Sequence, residues 1–225
     1  MRAWQVFGVV VVVCAMSVSS FAGKNKDPAT TAAADPTQDA VEMEIKSTGA
    51  ADVDAVFTKA DAPLGTVKSV RGHLSDMRIH LTTALALSEG TPIADALADL
   101  DQKAGDTIMV AVDTKGMPQL KASDAVPANV QSAIDAFNSG MGDIEKSAEN
   151  LADIPAQLEE VITAAGALNA DSLTKSGVPA TGIPKAVKTV DHNVKVLKSA
   201  KTEAEGILVE LAGVKSSVQT LFKSM

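Results

Sequence analysis

The chain has 225 residues with 20 basic and 28 acidic side chains, and its formal net charge of −8 argues against nucleic acid or anionic lipid as the main partner. Aromatic residues make up 3% of the total, tyrosine is absent, and the one tryptophan and one cysteine are Trp4 and Cys14. Aromatic cages and base-stacking platforms are therefore poorly supplied, and beyond Cys14 there is no thiol for a disulfide, a nucleophile or a metal.

Residues 1–22 have the parts of a secretory signal: Arg2, an apolar run from Val6 to Val18, and the small-residue exit Ser20-Phe21-Ala22. Cleavage is expected before Gly23, since the run is about a dozen residues where a membrane-spanning helix needs ~20. The alternative is a lipid anchor on Cys14, which sits in mid-run after Val11-Val12-Val13 without the usual small residue before it. Loss of Arg2 leaves 19 basic against 28 acidic groups, a net charge of −9. The absence of an Asn-x-Ser/Thr sequon fits a bacterial exported protein of the periplasm or the extracellular space.

Residues 23–49, rich in Ala, Thr, Asp and Pro, read as a disordered tether. A bundle domain is expected over 50–225. Its first helix, 51–88, has apolar residues from Val53 through Leu64, Leu74 and Leu81 to Ala84 in steps of four and three, with a kink or break at Pro63 and a stop at Ser88-Glu89-Gly90. Thr91-Pro92 then starts a short helix to about Lys103, capped by the threonine. A β-hairpin is expected at about 106–122: Ile108, Val110 and Val112 alternate, Asp113-Thr114-Lys115-Gly116 turns with its glycine left-handed, and Pro118 confines the returning strand to an edge.

From Pro127 the three-four spacing runs to Leu168, predicting one long helix, with a split at Asp153-Ile154-Pro155 as the four-helix alternative. After the loop Asp171–Pro184, a last helix to Phe222 carries Val187, Val190, Val194 and Leu197 at its start. The fold class expected is mainly all-α: an elongated antiparallel bundle of three long helices with the short helix and hairpin inserted at one tip.

The constellations are sparse. His73, Asp76 and His80 share a flank of the first helix, an arrangement that suits zinc but is also that of an ordinary solvated face beside the seam. No catalytic residue, metal or cofactor is assigned. There is no Gly-x-Ser-x-Gly elbow or P-loop, and Gly140-Met-Gly142 reads as a soft point or a close helix contact. Charge is uneven: residues 184–225 hold 7 basic and 4 acidic groups, whereas 23–176 hold 12 and 24. Lys198 and Lys201 are expected to face Glu159 and Glu160, while Lys188 and Lys195 are candidates for an acidic partner. Met109 and Met117 flank the hairpin turn as candidates for an apolar contact. The functional expectation is an exported non-enzymatic binding or scaffold module for an envelope protein, with a carrier of an apolar molecule as the alternative.

Overall fold

The computed structural model describes residues 43–113, 116–148 and 150–224. The signal sequence and tether residues 23–42 lie outside the described residues. In chain order the elements are α1 (Ala51–Thr58), α2 (Asp61–Leu85), α3 (Ile93–Ala104), β1 (Ile108–Val112), β2 (Pro118–Ala122), α4 (Ala128–Ser147), α5 (Ile154–Gly166), α6 (Ala170–Lys175), α7 (Ile183–Leu221) and β3 (Lys223–Ser224). Single turns of 3-10 helix stand at Gly105–Thr107 and Leu151–Asp153. The described chain is mainly helical with a small three-stranded sheet, and no described helix is long and apolar enough to cross a membrane.

The first seam is buried from Val53 to Leu81, and its last member is Leu85 rather than Ala84. The break falls at Lys59–Ala60, upstream of Pro63. Proline cannot donate to the carbonyl four residues back, but it is tolerated in the first turn of the new helix that starts at Asp61. The helix also stops before Ser88: Ala86 takes the left-handed conformation, φ 55°, and its N–H returns to the carbonyls of Thr82 and Thr83. Lys103 of α3 holds this end, donating to the Leu85 carbonyl at 2.7 Å and pairing with Asp99 at 2.8 Å. Thr91 does not cap α3; its hydroxyl donates to the Ser88 carbonyl, and Pro92 occupies the N-cap position.

The single helix expected from Pro127 to Leu168 is not formed. α4 ends at Ser147, Asn150 takes φ 65°, and a turn of 3-10 helix leads into α5, with Pro155 in its first turn. Pro155 lacks the N–H that a continuous helix would bond to the Leu151 carbonyl, so the division is that of the alternative, begun a few residues before Asp153. The apolar spacing nevertheless continues across the break, with Phe137, Met141 and Ile144 buried before it and Leu151, Ile154 and Leu158 after it. α2 packs along α4 in the antiparallel sense, since Gly140 meets Met77 while Ser147, later in α4, meets the earlier Ser69 and His73. α5 lies along α7, and α3 contacts both α7 and α2.

The buried face of α7 differs from the expected one in its first half. Ala186, Val190, Asn193, Leu197 and Ala200 are buried, and Val187 and Val194 only flank them. Asn193 is fully buried because it pairs with backbone: its side-chain oxygen accepts from the Lys46 N–H at 2.9 Å and its amide donates to the Lys46 carbonyl at 2.8 Å. Residues 43–49, expected within the tether, are in consequence docked, with Met43 buried and Ile45 packed against the core. Asp54 closes the far end, accepting from the Ser47 hydroxyl and from both the hydroxyl and the N–H of Thr48.

Burial pushes the Asp54 carboxyl up, but the donors of Ser47, Thr48 and Gly49 outweigh it and hold the group below its ordinary value of 3.8. A carboxyl depressed in the folded state stabilises the docked segment above its unfolded value, and this is lost as pH falls through the lower folded value. Hydrogen exchange at the Thr48 amide should therefore accelerate as pH is lowered from about 4, once corrected for intrinsic rates. Asp54→Asn should remove that dependence. A Thr48 amide equally protected at both ends of the range in the parent chain would contradict the assignment.

Candidate functional site

The hairpin forms, with Val110 opposite Leu120 and Val112 opposite Pro118 and with Gly116 at φ 82°. Ile108, Val110 and Leu120 turn to the core. The sheet packs chiefly on α4 rather than on the short helix, and each hairpin strand has a partner on part of its outer side. Beyond β1, the chain's own C-terminal β3 adds in parallel, with Met109 opposite Lys223 and Val110 opposite Ser224, and Lys223 pairs with Asp106 at 2.8 Å. Beyond β2, Asn138 of α4 accepts from the Leu120 N–H and donates to its carbonyl, each at 2.8 Å. Pro118 has no N–H to offer on that edge. The backbone groups that a partner strand needs are thus partly taken.

Met109 and Met117 are not brought together. Met109 is half-buried on the outer sheet face between Lys121 and Lys223 in the register. Met117 lines an apolar groove of about 270 Å³ where the hairpin, the α4–α5 joint and the C-terminal half of α7 meet. Pro118, Met141, Ile144 and Leu208 are among the other walls, and Lys215 is the one charged side chain in the lining. Ala148, Leu151 and Ala152 enter the lining from the α4–α5 joint.

Lys188 and Lys195 are exposed on the first half of α7, with Lys185 and Lys198 on the same side and Asp191 between them. At ~100° per residue the four lysines fall within about 140° of the helix circumference. None of them has an ion pair among the described residues. Lys201, one turn on, bonds Glu159 at 2.7 Å and approaches Glu205 at 3.9 Å, and the hydrogen bond to Glu159 raises its pKa. The expected crossing of α7 and α5 therefore accounts for Lys201 but not for Lys198. Arg71 of α2 pairs with Glu203 at 2.9 Å and Glu210 at 3.2 Å, so acids on the second half of α7 are drawn to the neighbouring helix.

His73, Asp76 and His80 line a cleft of about 150 Å³ between α2 and α4, with Asp143 and Ser139 opposite. The His73 Nε2 meets the hydroxyls of Ser147 at 3.0 Å and Ser69 at 3.3 Å, and those hydroxyls meet each other at 3.1 Å. Two hydroxyls on one ring nitrogen read as a bridge between two helices. Lys146, by hydrogen bond and charge, holds the Asp143 carboxyl below its usual range, with a smaller share from His73. Among the described residues, no three His, Cys, Asp or Glu side chains are grouped so as to hold a metal ion. His192, on α7, is half-buried.

No protein-family model, curated protein or solved structure matches this chain.

Proposed function

We propose that the chain is an exported, non-enzymatic helical binding or scaffold module of the cell envelope, its helices forming an elongated antiparallel bundle that presents one face of α7 to an acidic protein partner. The observation that carries this reading is the lysine flank at 185, 188, 195 and 198: four exposed cations without ion pairs among the described residues, on a chain of net charge −8. Lys185 and Lys188 stand in the first turns of α7, where the helix dipole disfavours cations, so helix stability does not account for them. The addition of β3 to β1, with β2 packed on α4, supports a structural part for the hairpin.

A photo-crosslinker placed at Thr189 in the exporting cell should give one dominant adduct. Lys188→Glu with Lys195→Glu should reduce that adduct at least tenfold while leaving the circular dichroism unchanged, given that close interfacial charge pairs can each contribute above ~1.5 kcal/mol. An undiminished adduct counts against the lysine flank.

The second reading, a carrier of an apolar molecule, is favoured by the groove at Met117. A ligand there would lie at the surface rather than between opened helices, since the seam residues from Phe57 to Val218 are closed on one another.

A further inference from the structure

We propose that the groove between the hairpin, the α4–α5 joint and α7 binds a single alkyl chain of about ten carbons that ends in a carboxylate at Lys215. The inference rests on the carrier reading and supplies its ligand class.

Size comes first. An enclosed apolar cavity of about 150 Å³ holds a benzene ring, so by proportion 270 Å³ accommodates ten or eleven carbons. That covers one acyl chain of medium length. Apart from Lys215 the walls are apolar: Met117 and Pro118 from the hairpin, Met141 and Ile144 from α4, Leu208 and Leu211 from α7. Two methionines among them give a lining that can follow a flexible chain.

Polarity decides what kind of apolar ligand fits. A peptide segment brings an amide at every residue and needs backbone partners, but Pro118 offers no N–H and Leu120 is already occupied by Asn138. An alkyl carboxylate has its polar atoms at one end only. Lys215 is the one cation of the lining, is exposed, and has no ion pair among the described residues. An alkyl chain in the groove with its carboxylate at the Lys215 ammonium satisfies both groups, with the head still in contact with water.

The test is calorimetric titration of the exported chain with decanoate and with decyltrimethylammonium, which share a ten-carbon tail and carry opposite heads, both well below their micelle concentrations. Decanoate should bind saturably and about three- to fivefold more tightly than the cation, as befits one partly exposed charge pair. Lys215→Glu, at an exposed position, should invert that preference. Ala212→Trp, which fills the groove from an exposed position of α7, should remove binding of both while circular dichroism stays unchanged. Equal binding of the two probes, with no change in Lys215→Glu, overturns the carboxylate assignment and leaves the carrier reading in place. Binding of neither probe removes both. Binding that survives Ala212→Trp places the ligand elsewhere and overturns the site.

Discussion

Asn193→Ala should lower the stability of the chain by about 2–3 kcal/mol and its Tm by roughly 4–10 °C. Asn193 is fully buried on α7, and its amide exchanges two hydrogen bonds with Lys46 across a separation of 147 residues. Truncation strands the N–H and carbonyl of Lys46 against an apolar helix face, unless residues 43–49 lift off to regain water. Either response has a cost, and the second gives a local signature: rapid hydrogen exchange at Lys46 while the α2–α4 pair stays protected. Asn193→Asp should be worse still at neutral pH. A carboxylate cannot donate to the Lys46 carbonyl, and it buries a charge without a cation. If Asn193→Ala melts with the parent chain and Lys46 keeps its protection, the clamp contributes nothing.

Gly140→Val should cost about 2–3 kcal/mol, and Gly142→Ala should gain up to about 1 kcal/mol, although the two glycines stand two residues apart on the same helix. A Cβ at position 140 would lie 2.6 Å from Cβ and Cγ of Met77 and 2.8 Å from its Sδ, so α2 and α4 would have to separate. A Cβ at 142 meets nothing within 4 Å, leaving only the improved helix propensity. Met77→Ala should recover only part of the loss in the double variant, because it removes Cγ and Sδ but keeps the Cβ that collides. Thermal melts of the four variants decide the matter, and equal behaviour of positions 140 and 142 would contradict the close crossing.

These two sites mark how far local spacing can be read. Gly140-Met-Gly142 announces a close contact without saying which glycine makes it, because that depends on which side of α4 faces α2. The spacing from Pro127 to Leu168 predicts the buried residues on both sides of the α4–α5 joint but not the joint. Seam positions record which side chains are covered, and a turn of 3-10 helix can carry the same side to the core while the ladder is interrupted. Pro155 is the available signal, and its missing N–H acts one turn upstream of the proline itself.

On α7 the buried face was displaced because Asn193 is polar and Ala200 weakly apolar, so hydropathy passes over both in favour of Val187 and Val194. The groove at Lys215 could not be read at all, being lined by residues from three separated stretches of chain. Met117 stands out in the sequence only by its place beside a turn, and the structure gives it apolar neighbours on α4 and α7 that no local pattern connects to it.

The longer helices, the hairpin strands, the left-handed glycine at 116, the edge position of Pro118 and the Lys201–Glu159 crossing follow from interactions within a few residues or from simple antiparallel registration, whereas α6 forms inside the stretch expected to be a loop, on the Asn169–Ser172 capping box. The two asparagine clamps, the addition of β3 to β1 and the apolar groove depend on which distant segments come together. A backbone N–H or carbonyl is the same at every residue, so nothing in the spacing of side chains records that Asn193 will meet Lys46 or that Asn138 will meet Leu120.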